Sequence, residues 1–236
     1  MYPPIVFFDL EGTLLKKNYS LDNGKVSPSA WTVLAKEISI DCFKEEEETK
    51  DKWNKGEYCN YTEWMRETIK IHIKYKLKKS TFTRVVNSVE IVNGAQSAIK
   101  TLRDNGVITC IISGGFKQLA DRAQKDLKID HSMSGCEYFF NEQTGYIEHY
   151  NLLPSDYNGK LNFMKTITQE YGVETNQCVF VGDGINDIEI ARKAGLSIAF
   201  NAQSKLKDVC TISIDHSKGE ETLIDIPSII HNNYNE

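Results

Sequence analysis

Four apolar residues, Ile5-Val6-Phe7-Phe8, run into Asp9-Leu10-Glu11-Gly12-Thr13, and few other stretches limit the fold so tightly. A continuous apolar run stopped by a turn predicts a strand buried on both faces, the kind found in parallel sheets. Ligands of open α/β sheets sit outside the carboxyl ends of the strands, which puts Asp9 at the mouth of a crevice. Residues two apart in extended backbone share a face, so Asp9 and Glu11 are expected to face one ligand. One carboxylate could then attack while the other handles a proton. Taken alone, the stretch reads as a polar turn closing a core strand. Its partners further along the chain change that reading.

The 236 residues suffice for one large domain, or for a core with a small insert. A net charge of −5 leaves no basic excess to neutralise phosphates, which argues against a nucleic-acid partner. No apolar run approaches the ~20 residues of a membrane helix, so no membrane partner is expected. No charged segment precedes an apolar stretch at the N-terminus, so no signal peptide is expected. The six cysteines are scattered and form no CxxC pair. They read as reduced thiols of a cytoplasmic protein.

Beyond Leu15 the pattern turns polar, with a turn signal at Asn23-Gly24. Ser27-Pro28 predicts a helix start, Ser as cap and Pro in the first turn, followed by Trp31, Leu34, Ala35 and Ile38 at helical spacing. Lys44 to Lys55, with Glu45 to Glu48 in one run, predicts a solvated helix. An amphipathic helix is expected over about 61–77, with Trp64, Ile69, Ile71 and Ile73 as its main apolar residues, and a shorter one through Val89. From Val92 onward, helices alternate with apolar strands. The strands at Val107–Ile112 and Cys178–Val181 end in Ser113-Gly114-Gly115 and Gly182-Asp183-Gly184. A hairpin is expected around Gly145. This alternation predicts an α/β fold with an open parallel sheet and a small helical cap inserted after the first strand. The expected division is a core of residues 1–15 and 89–236 and a cap of 16–88.

Three strand ends therefore carry polar groups: Asp9 and Glu11, Ser113 and Gly114, and Asp183 with Asn186 and Asp187. Lys160 opens a helix beside them. An aspartate attacking a phosphoryl group faces repulsion between two anions, which a divalent cation held by Asp9 and Asp183 would screen. Oxygen ligands with two or more carboxylates suit Mg²⁺. Lys160 would keep Asp9 charged and bind phosphate. Ser113 and the Gly114 N–H, placed at a helix N-terminus, would hold another phosphate oxygen. No EF-hand, GxGxxG or GxxxxGK pattern is present.

In motif order the chain resembles the haloacid dehalogenase superfamily, and within it the phosphoserine phosphatase branch. The resemblance rests on Asp9-Leu10-Glu11-Gly12-Thr13, Ser113-Gly114-Gly115-Phe116, Lys160, Gly182-Asp183-Gly184-Ile185-Asn186-Asp187 and Ala194 through Ala202. It implies that Asp9 forms an aspartyl-phosphate and that Glu11 protonates the leaving oxygen, then activates water. It implies Mg²⁺ held by Asp9, the Glu11 carbonyl and Asp183, with Asp187 behind. Ser113, Gly114, Lys160 and Asn186 are then the phosphate-binding groups, and the substrate is a small phosphomonoester. Two departures stand out. Glu11 replaces the usual Asp, as in the enolase-phosphatases. Asn18 and Thr68 stand where phosphoserine phosphatases read the serine ammonium and carboxylate with Glu and Arg, so phosphoserine is expected to bind weakly. Tyr61, Arg66 and Asn18 are the candidate specificity residues. Lys16 and Lys17 read as solvated linker lysines, or as partners of an acidic leaving group. A same-fold dehalogenase, a non-catalytic binding or regulatory role, and a phosphatase acting on phosphoserine itself are the rival readings.

Overall fold

The computed structural model describes residues 2–17, 19, 27 and 29–234. The predicted apolar run forms β1 (Ile5–Phe8), all four residues buried. Parallel partners flank it: β2 (Ile108–Phe116) on one side and β5 (Val179–Gly182) on the other. Beyond β2 lie β3 (His131–Phe140) and the antiparallel β4 (Ile147–Leu152). Beyond β5 lie β6 (Leu196–Phe200) and β7 (Ile212–Ile214). Among the described residues these make one sheet in the order β4-β3-β2-β1-β5-β6-β7. The chain runs outward one way from β1 and the other way from β5, so the strand order reverses between them. Such a switch point opens a crevice at the strands' carboxyl ends.

Side chains of β1 alternate between two cores, as strand pleating requires. Val6 and Phe8 join the cluster of α5 (Ala95–Asp104), α6 (Lys117–Leu127) and α10 (Ile226–Asn233). Ile5 and Phe7 join that of α7 (Asn158–Glu170) and α8 (Ile188–Ala191). A further short helix, α9 (Ser204–Lys207), follows β6. No helix of the described residues is long and apolar enough to cross a membrane.

Between β1 and α5 the described residues form four helices: α1 (Ala30–Ile38), α2 (Ile40–Asn54), α3 (Tyr61–Lys74) and α4 (Lys79–Ser88). At its neck the two connecting segments run antiparallel. The Lys16 N–H donates to the Glu90 carbonyl (2.8 Å), and the Val92 N–H to that of Leu14 (2.9 Å). The insertion packs onto the sheet through aromatic rings. Trp31 lies 4.2 Å and Tyr138 5.1 Å from the Phe116 ring centroid, with Phe82 edge-on at 5.2 Å.

Four local expectations need correction. First, α1 begins at Ala30, with Ser29 rather than Ser27 in the cap position. Ser27 instead donates its hydroxyl to the Ser29 carbonyl, while Pro28 and the Asn23-Gly24 turn lie outside the described residues. Second, β2 does not stop at Ile112. It continues through Phe116, with a bulge that sets Gly114 and Gly115 against Gly135. The bulge keeps the backbone extended, so Gly114 is not at a helix N-terminus. Third, Ile73 is exposed, because the buried face of α3 is carried by Met65, Thr68, Ile69, Ile71 and His72. Fourth, α2 is not solvated all round: Cys42, Glu46 and Thr49 are buried, spaced four and three residues apart on one face.

Phe116 is 1% exposed and sits where sheet and insertion meet. Phe116→Ala should cost about 3–5 kcal/mol through lost burial and the cavity left behind, read as a lower denaturation midpoint at unchanged slope.

Candidate active site

Lys160, near the start of α7, is fully buried. Its ammonium lies 2.5 Å from Asp9 Oδ1 and 2.6 Å from Asp187 Oδ1. Burial alone would push the Lys160 pKa down; the carboxylates of Asp187 and Asp9 more than reverse this and hold it above the usual lysine value. Asp9 leaves β1 with its N–H donated to the Val181 carbonyl (2.9 Å), so the backbones of β1 and β5 fix its place. Asp187 lies past β5 in a 3-10 turn and accepts the Gly184 N–H on Oδ2 (3.1 Å). Burial raises its pKa to about 7 against the pull of Lys160.

Asp183 ends β5 across from Asp9. One carboxylate oxygen from each of Asp9, Asp183 and Asp187 falls within a 4.8 Å cluster. Lys17 reaches this cluster from the linker and lies 2.6 Å from Asp183 Oδ2. It is therefore a partner of the cluster rather than a free linker lysine; Lys16, half-buried to a similar degree, pairs instead with Glu90 at 3.0 Å. Gly12 makes the approach possible. Its φ is +95°, and a Cβ there would lie 2.4 Å from Asp183 Oδ2 and 2.8 Å from Lys17 Nζ. Asp9, Glu11, Asp183 and Asp187 carry four acids against the ammoniums of Lys17 and Lys160. The cluster of oxygen-only donors from Asp9, Asp183 and Asp187 fits a divalent cation.

Glu11 does not join the carboxylate cluster through its side chain. Its Oε1 accepts the Ala30 N–H at 2.6 Å, so it caps α1 in place of a serine. Burial raises the Glu11 pKa to about 7, and the Ala30 N–H and Lys17 only partly offset that. A carboxyl poised there can both give and take a proton near neutral pH. Glu11 Oε2 faces Gly115, where a Cβ would approach to 3.0 Å. Ser113 is buried, and its Oγ accepts the Gly115 N–H (3.0 Å). Gly114 lies open to the crevice, with the Tyr61 hydroxyl and the Ser155 carbonyl 3.5 and 3.4 Å from where its Cβ would be.

These groups line one cavity of about 350 Å³, with Asn186 among them. The structure thus brings together Asp9, Glu11, Ser113, Gly114, Asp183, Asn186 and Tyr61 around one space, with Lys160 and Asp187 buried behind it. Arg66 does not join them. It is exposed, off the buried face of α3. Thr68 is buried and donates to the Trp64 carbonyl (3.3 Å), so it reads no ligand. Asn18 lies outside the described residues. Sequence reasoning missed Asp156, which lines the cavity and is bonded to Asn186. It also missed Glu46 and Lys50 on α2. The spacing Cys42, Glu46, Thr49, Trp53 was the available signal for α2, since it marks one helix face.

A family model for haloacid dehalogenase-like hydrolases matches residues 3–195, and the chain belongs to that family. A phosphoserine phosphatase of Archaeoglobus fulgidus is 30% identical over 148 residues, 62% of this chain and 41% of that protein. The chain thus spans less than half of this relative's length. One from Methanocaldococcus jannaschii is 26% identical over 222 residues, 93% of this chain and 95% of that protein. A solved phosphoserine phosphatase structure, described as a phospho-aspartyl intermediate analogue, superposes with a TM-score of 0.75 at 22% identity, covering 97% of this chain and 99% of that one. It confirms the fold.

Lys160→Met should leave two buried carboxylates unpaired and cost about 3–5 kcal/mol. Calorimetric unfolding at neutral pH reads this loss; a stability equal to wild type would mean the pair is not held together in solution.

Proposed function

We propose that the protein is a Mg²⁺-dependent phosphatase of a small phosphate monoester, acting through an aspartyl-phosphate. The observation that carries this reading is Asp9 held by Lys160 at the switch point, with Glu11 beside it at a pKa near 7. Asp183 and Asp187 would join Asp9 in holding the cation, which would screen the phosphate's charge when bound. The Glu11 carbonyl belongs to the same proposed ligand set.

In the first step the Asp9 carboxylate attacks phosphorus. The bond from phosphorus to the leaving oxygen breaks, and protonated Glu11 gives that oxygen its proton. In the second step a water attacks the phosphoryl group, Glu11 takes its proton, and the Asp9–phosphate bond breaks to release inorganic phosphate. Ser113, the Gly114 backbone, Lys160 and Asn186 are the proposed phosphate-holding groups. The bulge at Gly114 supports this, because it exposes backbone beside the crevice without any side chain. Residues 16–88 serve as the cap over core segments 1–15 and 89–236, a division supported by the paired neck at Leu14–Lys16 and Glu90–Val92. A cytoplasmic setting fits the six free cysteines, and the acidic net charge fits a small-molecule substrate rather than nucleic acid.

Turnover of p-nitrophenyl phosphate with and without Mg²⁺ tests the reaction class; no metal-dependent turnover would end it. Asp9→Asn should abolish turnover and leave the melting curve of a folded protein. Glu11→Gln should lower kcat by about 10²–10⁴-fold, the range for loss of a positioned proton carrier.

A further inference from the structure

The leaving group of such a reaction departs past Glu11 toward the insertion. There α1 links two acids. Its first N–H, from Ala30, goes to Glu11, and the Thr32 hydroxyl two residues on donates to Glu46 Oε1 (3.2 Å). Glu46 lines the same cavity as Asp9 and Glu11, yet is only 3% exposed. Among the described residues its Oε2 has no hydrogen-bond partner. Lys50 forms a long ion pair with this oxygen, at 3.7 Å. Its ammonium is already engaged, donating to Thr32 Oγ1 at 3.0 Å and pairing with Glu47. The free capacity on this wall is therefore an acceptor.

Aromatic rings share the cavity wall with that acceptor. Trp53 and Trp64 stack at 5.1 Å, with Tyr61 edge-on to Trp64 at 5.9 Å, and all three line the cavity. Trp64 donates its indole N–H to Thr49, whose hydroxyl in turn donates to the Glu46 carbonyl, so rings and acid are held as one unit. A buried carboxylate without a full partner is costly, and a cationic ligand would relieve it. Burial raises the Glu46 pKa to about 7, and Lys50 only partly offsets it.

The geometry points to Glu46 as the reader of an ammonium on the leaving group, and so to an amino-alcohol phosphate without a carboxylate as the substrate class. The inference rests on the phosphatase reading above. The aromatic wall would cover the methylenes between ammonium and ester oxygen. A carboxylate on the same alcohol would meet Glu46, with Lys50 already engaged by Thr32 and Glu47.

Phosphoethanolamine, glycerol phosphate, phosphoserine and p-nitrophenyl phosphate form the test panel. Wild type should turn over phosphoethanolamine with the highest kcat/KM of the first three. Glu46→Gln should lower the ratio of kcat/KM for phosphoethanolamine to that for p-nitrophenyl phosphate by about 10- to 100-fold, the worth of one charge-assisted hydrogen bond. Glu46→Asp should recover part of the ratio. Calorimetric titration of phosphoethanolamine into Asp9→Asn, with and without Glu46→Gln, should show the same drop in affinity without any turnover. Metal-dependent turnover of p-nitrophenyl phosphate with a ratio that Glu46→Gln does not move would overturn the role of Glu46 and leave the phosphatase reading standing. Phosphoserine as the best substrate would overturn the carboxylate-free class. No turnover of any ester would instead sink the phosphatase reading itself.

Discussion

The site depends on one buried ammonium. Lys160 sits between Asp9 and Asp187, both within 2.6 Å, with no measurable exposure. Three carboxylates so close together would repel one another and protonate without it. Lys160 comes from a helix on the face of the sheet opposite the insertion, and the two acids come from the ends of β1 and β5. One ion-paired triad thus ties helix to sheet and sets the charge of the crevice. Such a triad is a poor stabiliser beside an apolar core, because desolvation consumes most of the Coulomb attraction. Its value lies in holding Asp9 in one orientation.

A second link joins the core to the insertion. Glu11 caps α1 through the Ala30 N–H, a place more often filled by serine or aspartate on the helix's own chain end. The group that would carry the proton is thereby tied to the element that covers the crevice. Any movement of α1 changes what Glu11 is bonded to, and the same first turn reaches Glu46 through Thr32. Glu11 and Glu46 thus share one helix start.

Lys17 adds a constraint that few linker residues carry. Its ammonium lies against Asp183, one of the three clustered carboxylates. The left-handed turn at Gly12 lets the chain double back so that a residue eight positions after Asp9 returns to the same site. A side chain at Gly12 would occupy the space of Asp183 itself.

The sequence alone determined the α/β sheet and the acids that close its central strands. Buried parallel strands read as continuous apolar runs, and the acids that close β1 and β5 follow those runs directly. The register between β1 and β5 then brings Asp9 and Asp183 together, because parallel pairing aligns strand ends. Lys160 was legible only beside the polar strand ends, since a single lysine at a helix start carries no pattern of its own. Tertiary structure decided the rest. The bulge that keeps Gly114 in β2 depends on pairing with β3, a contact distant in sequence. Arg66 was misplaced because the facing of α3 is set by what it packs on, not by its polar residues. Glu46 was hidden in an acidic run that looked solvated. Only the packing of α2 against α1 and α3 reveals that one of those four acids turns inward, since burial is a property of the assembled layers and not of any one helix.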